Sequence, residues 1–153
     1  LTYGFSLGAE WNGFDFSCLF QGNAGLQVYW QDKFYMGYIN YGDVINKEIA
    51  EGAWREGRTN ATYPRLLTGL NTLNAQPSDF WVQNKSYLRL KNVQIGYKIP
   101  KKLLQKLDIS QLRLYTSLEN MLTFTSYKGI DPEISGTTYP TMKQITVGVN
   151  VVF

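Results

Sequence analysis

The sequence predicts an all-β protein, an antiparallel meander of about five long strands of the kind that crosses a membrane as part of a barrel. Three observations lead there. Apolar and polar residues alternate strictly over several stretches, ending with "QITVGVNVVF", residues 144–153. Aromatic residues make up 15% and charged residues only 18% of the chain, against roughly 25% charged in ordinary soluble domains. Mean hydropathy is nevertheless −0.26, and no run approaches the ~20 apolar residues of a spanning helix. Strands that are apolar outside and polar inside reconcile low charge with moderate polarity.

The same totals narrow the chemistry. A net charge of +3 is too small to indicate nucleic acid, and Lys101, Lys102 and Lys106, the one basic cluster, read as a solvated turn. The single cysteine, Cys18, allows no internal disulfide. With no histidine, the commonest general base and metal ligand is missing. Leu1 already reads as mid-strand, so either a leader has been removed or preceding parts of a longer protein lie outside this sequence.

The first strand is expected over 2–11, with Leu1, Tyr3, Phe5, Leu7, Ala9 and Trp11 on one face and Thr2, Gly4, Ser6, Gly8 and Glu10 on the other. Asn12-Gly13 is the turn, since a type I′ turn needs positive φ at both central residues. The second strand, 14–22, keeps the phase with Phe14, Phe16, Cys18 and Phe20 opposite Asp15, Ser17 and Gln21. Alternation then dissolves over 23–85, where "GDVINKEIAEGAW" has room for a short helix. It resumes at 86–99, with Val93, Ile95, Tyr97 and Ile99 against Asn92, Gln94, Gly96 and Lys98. Leu88 and Leu90 are out of phase with that set, which a β-bulge near Lys91-Asn92 or a strand top clear of the bilayer would explain. Pro100 ends the strand, and 101–110 makes a turn of helix or a compact loop. Strands 111–125 and 144–153 complete the set; in the last, Ile145, Val147, Val149, Val151 and Phe153 share one face. Five strands fall short of the about eight in the smallest bacterial membrane barrel, so the chain is expected to be part of something larger.

Four ordered motifs, "SYLRLKNVQIGY", "LRLYTSLENMLTFT", "YKGIDPEISG" and the terminal "QITVGVNVVF", resemble the C-terminal end of the SusC/RagA family of TonB-linked outer-membrane proteins of Bacteroidetes-type bacteria. Upstream, "GAEWNGFDFSCLFQGNAG" and "YPRL" before "SDFWVQNKSYLRL" follow the family's order, while 26–60 matches loosely. The resemblance implies a plugged transport barrel of about 22 strands, with this chain as its C-terminal section. It implies coupling to the TonB complex through an N-terminal part absent here, a SusD-like surface lipoprotein as lid, and oligosaccharide or oligopeptide cargo. It implies a Gram-negative outer membrane, with contacts to membrane lipid and no nucleic acid. The terminal Val147, Val149, Val151 and Phe153 resemble the signal read by the outer-membrane assembly machinery, consistent with strand addition at a free edge; Phe153 could also serve as an interfacial girdle residue.

If the C-terminus is periplasmic, the turns at 12–13 and 100–110 are periplasmic and the loops 23–85 and 126–143 extracellular. Glu10, Asp15, Asn92, Lys98, Arg113, Glu119 and Asn150 then face the lumen, and the central apolar faces carry no charge. Among the loop aromatics, Trp54 and Trp81 are candidate ligand or lid contacts, although packing of the loop on itself or an upper aromatic girdle is the favoured reading of such residues. Asp131 and Glu133 around Pro132 read as loop geometry, because calcium takes about six to eight oxygen ligands. Glu119 and Asp15 could meet across the sheet, yet no nucleophile or carboxylate pair at informative spacing appears. No enzyme activity, metal or cofactor is expected. Asn60 and Asn84 begin glycosylation-like tripeptides that a bacterial host makes irrelevant, and Cys18 reads as a small hydrophobe. The competing reading is a small soluble β-sheet module that grips carbohydrate with its aromatics; it lacks a second apolar layer to cover these strands.

Overall fold

The structure, a computed structural model, describes residues 1–29, 38–39, 44–68, 76–105, 108–134 and 139–153. The chain forms two units, one from Leu1–Leu26 with Asn84–Phe153 and one from Gln27–Gln83. β1 (Thr2–Trp11) and β2 (Phe14–Asn23) form the expected hairpin. Their turn is set by Asn12 at φ 48 and Gly13 at φ 87, the two positive values a type I′ turn requires. In the second unit come β3 (Gln27–Tyr29), β4 (Tyr38–Ile39), α1 (Lys47–Gly52), β5 (Leu67–Thr68), a 3₁₀ turn at Asp79–Trp81 and β6 (Val82–Asn84). The patternless 23–85 stretch therefore holds a structured unit, with α1 where a short helix has room.

The chain then returns through β7 (Tyr87–Lys98), α2 (Lys101–Leu104), β8 (Gln111–Thr125) and β9 (Gln144–Val152). The long strands make one antiparallel sheet in the order β1-β2-β7-β8-β9, each long pair antiparallel. Local signals alone produce this order: hairpin turns and strand ends join strands that are neighbours, and the second unit is inserted between β2 and β7.

Register decides which residues share a face. Leu7, Cys18, Val93, Leu118 and Ile145 lie in one transverse row, and Trp11, Phe14, Tyr97, Leu114 and Val149 in another. Gly8, Ser17, Gln94, Ser117 and Thr146 make a row of the opposite face. The phase change at Leu88 and Leu90 is a bulge: Lys91 has no partner in either ladder, and β8 passes it with Asn120 and Met121 unpaired. Asn120 takes φ 53 there, a value that asparagine tolerates better than most residues. The bulge resets the phase so that Leu88 and Leu90 join the apolar face.

That face is not covered. Among the described residues of the five-stranded sheet, Cys18 is the single buried apolar side chain, pressed between Leu7 and Val93. Phe5, Leu7, Ile95, Leu114, Ile145 and Val147 are all exposed. A soluble domain packs such a face under a second layer. Here the sheet is apolar toward its surroundings, as a lipid-facing barrel wall is.

Candidate functional site

The polar face carries the charge, and charge is organised at both strand ends. Near the β1–β2 turn, Glu10 and Asp15 stand directly opposite each other, and so do Lys98 and Arg113. Each like pair is relieved by the other. Lys98 Nζ donates to both oxygens of Glu10 at 3.2 and 3.3 Å. Arg113 donates Nε to Asp15 Oδ2 at 2.8 Å and Nη2 to Oδ1, a bidentate pair that fixes geometry as well as charge. The Arg113 guanidinium carbon lies 5.1 Å from the Tyr115 ring centre.

Arg113 reaches Asp15 because Gly96 lies between them in the sheet. A Cβ at Gly96 would stand 2.6 Å from Arg113 Nε, so the diagonal pair needs a residue without a side chain there. Glu119 belongs elsewhere: its row holds Leu19, Asn92 and Gln144, whereas that of Asp15 holds Gly96 and Tyr115. The two carboxylates do not meet, because a β-ladder keeps residues four apart on a strand in different rows.

At the other strand end the Ile130–Ile134 segment is tied to β7. Arg89, 4% exposed, donates Nη2 to Asp131 Oδ1 at 2.7 Å, Nη1 to Glu133 Oε2 at 2.6 Å and Nε to Thr123 Oγ1 at 2.8 Å. Lys91, presented by the bulge, donates to Glu133 Oε2 at 2.8 Å, and Lys85 Nζ donates to the Ile134 carbonyl at 2.6 Å. Asp131 also accepts the Glu133 amide at 2.9 Å and the Thr141 amide at 3.0 Å. Burial raises the Asp131 pKa, but these donors outweigh it and hold the carboxyl at about 2. Both acids are thus engaged by cations and amides, and among the described residues no group of three acidic or sulfur ligands is arranged for a metal. The sequence reading of Asp131 and Glu133 as loop geometry gains a physical cause. Arg89 itself escaped that reading; the signal for it was an arginine inside an otherwise half-apolar strand.

The two tryptophans diverge. Trp81 is 4% exposed, with Phe80 edge-on at 4.7 Å, so it packs its own unit rather than offering a surface contact. A flat ring next to another aromatic was simply worth more inside. Trp54 is 45% exposed and lines an open recess of about 440 Å³ with Thr62, Tyr63, Pro64, Arg65 and Phe80. Its backbone is held by a parallel bridge from Ala53 to Tyr63 and by a Trp54 amide bond to the Tyr63 carbonyl at 2.9 Å.

No family model matches the chain. Curated relatives do. TonB-dependent receptor P3 of Formosa agariphila is 31% identical over 99% of this chain, and TonB-dependent receptor P39 of the same organism 30% identical over 98%. TonB-dependent receptor SusC of Bacteroides thetaiotaomicron is 28% identical over 62% of the chain. Solved structures of the RagAB peptide importer superpose with a TM-score of 0.75 in the open-open state and 0.76 in the closed-closed state, at 32% and 31% identity. The chain belongs to the SusC/RagA family of TonB-dependent receptors. Its five-stranded meander is the C-terminal portion of the family's transmembrane barrel. The chain spans 16% of the length of receptors P3 and P39 and 17% of the RagAB chains. SusC/RagA proteins reside in the outer membrane, and these relatives are named receptors and importers rather than enzymes. The soluble carbohydrate-binding module is not favoured.

Proposed function

We propose that this SusC/RagA segment is the C-terminal wall of an outer-membrane importer for oligosaccharides or oligopeptides, without enzymatic activity, working with a SusD-like surface lipoprotein. The supporting observation is the sheet's sidedness. One face is apolar, uncharged and exposed, and the other holds Glu10, Asp15, Lys98, Arg113 and Glu119. In this reading the apolar face meets lipid and those charges face the lumen. Paired charge suits that wall: Arg113 and Asp15 neutralise each other, so the lumen presents hydrogen-bonding capacity without a strong fixed field.

The Asn12-Gly13 turn and the α2 connection are then periplasmic, and 23–85 and 126–143 extracellular. Coupling to the TonB complex belongs to N-terminal parts of the whole protein. Val147, Val149 and Val151 of β9, with Phe153 after it, form the segment presented to the outer-membrane assembly machinery, and β9 stands at an edge of the described sheet.

Surface labelling tests the orientation. In the whole protein with Cys18→Ala, a cysteine at Tyr139 should react with an impermeant maleimide on intact cells. One at Asn12 should react only after the outer membrane is permeabilised. The reverse pattern would refute the orientation.

A further inference from the structure

We propose that the recess at Trp54 is a binding subsite for a ligand that carries a carboxylate beside a ring or alkyl face. The proposal rests on the importer reading and names the chemistry of the cargo end that this subsite takes.

The recess is built before any ligand arrives. The Gly52 carbonyl accepts the amides of Thr62 and Tyr63 at 3.0 and 3.1 Å, closing α1 onto the next segment, and the Ala53 amide caps the helix on the Ile49 carbonyl at 2.8 Å. Ile49 of α1 is 1% exposed and anchors that helix in its unit. A Cβ at Gly52 would lie 2.6 Å from the Tyr63 ring, so the two walls are already in contact. Tyr63 and Phe80 are edge-on at 6.3 Å, and Phe80 is backed by buried Trp81. A site fixed by backbone bonds and packing loses little entropy on binding.

Within this rigid frame, Trp54 and Phe80 remain 45% and 49% exposed. Large apolar rings held open in a recess of about 440 Å³ match the size and character of small-ligand sites, about 300–1,000 Å³. The remaining wall supplies charge. Among the described residues Arg65 has no ion-pair or hydrogen-bond partner, and no carboxylate stands among the residues that line the recess. An unpaired guanidinium presents a planar fork of donors that fits a carboxylate. The aromatic shelf takes the ring or alkyl face next to it. A uronate unit of an acidic oligosaccharide and the C-terminal residue of an oligopeptide both have this chemistry.

The test is calorimetry on the whole detergent-solubilised protein with four probes: trigalacturonate, its methyl ester, a tetrapeptide ending in leucine, and the C-terminal amide of that peptide. At least one acid should bind about tenfold more tightly than its neutral counterpart. Arg65→Gln should erase that preference and Arg65→Lys restore part of it, and Trp54→Ala should weaken the acid and its counterpart together. Which acid binds separates a sugar from a peptide source. Equal binding of acid and neutral forms, binding by none of the four, or wild-type behaviour of the Arg65→Gln and Trp54→Ala variants would overturn the proposal. Uptake by intact cells is measured separately. Selective binding without uptake would refute the importer reading and leave the subsite standing, whereas uptake by cells whose unmodified protein binds acid and neutral forms equally would do the opposite.

Discussion

At the scale of single residues, Arg89 is the side chain whose removal should matter most. It is buried, and its three donor nitrogens hold Asp131, Glu133 and Thr123. Replacing it with methionine leaves Asp131 without its cation and Glu133 with Lys91 alone, and breaking a buried pair in this way costs about 3–5 kcal/mol. Hydrogen exchange at the Asp131 segment of the whole protein should rise accordingly, with the distant β1–β2 hairpin unchanged. Acid should mimic the mutation. The folded-state pKa of Asp131, about 2, lies below its ordinary value of 3.8. Its contribution is therefore complete above pH 3.8 and lost as pH falls from there through about 2. The same exchange measurement across that window should show the segment released, and no response across the window would contradict the sign. Gly96 gives a second residue-scale prediction. Gly96→Val places a side chain into the Arg113–Asp15 pair and should destabilise the barrel by about 1–3 kcal/mol in urea unfolding from lipid vesicles.

At the scale of elements, the two faces of β9 should respond oppositely to the same change. Ile145→Arg sets a cation among Leu7, Cys18, Val93 and Leu118 on the apolar face, well away from the β1–β2 turn, at a cost of roughly 2–4 kcal/mol at the bilayer midplane. Thr146→Arg, one position on, points to the opposite face among Ser17, Gln94 and Ser117, where no cation stands opposite it, and should be nearly neutral. Folding yields in vesicles compare the two directly. Elements were also where the sequence spoke most clearly. Strict alternation and one Asn-Gly turn were enough to place the hairpin and the long strands, whereas the phase slip near Lys91 left a bulge and a strand top clear of the bilayer both open until register showed the bulge. Cross-strand partners were less legible, since Arg113 reaches Asp15 only diagonally across Gly96 and Glu119 falls in another row. That geometry depends on register, which a list of charged residues does not contain. Burial inside the inserted unit was hidden for a similar reason: Trp54 and Trp81 have the same composition signal, and only packing separates the exposed ring from the core ring.

At the scale of the whole molecule, the five-stranded sheet has an uncovered apolar face and two open edges, β1 and β9. Unpaired backbone and exposed apolar side chains at such edges favour aggregation, and lipid cannot satisfy them. Expressed by itself without detergent, the 153-residue chain should precipitate or form irregular oligomers rather than unfold cooperatively as a monomer. Its stability belongs to the closed barrel, where neighbouring strands complete both edges. The measurement that reaches this claim most directly is an immunoblot of fractionated source cells with an antibody against residues 126–143. The account predicts an outer-membrane band many times heavier than 17.5 kDa that changes mobility on heating, as a folded barrel does when it opens. A soluble band near 17.5 kDa with no heat shift would contradict it.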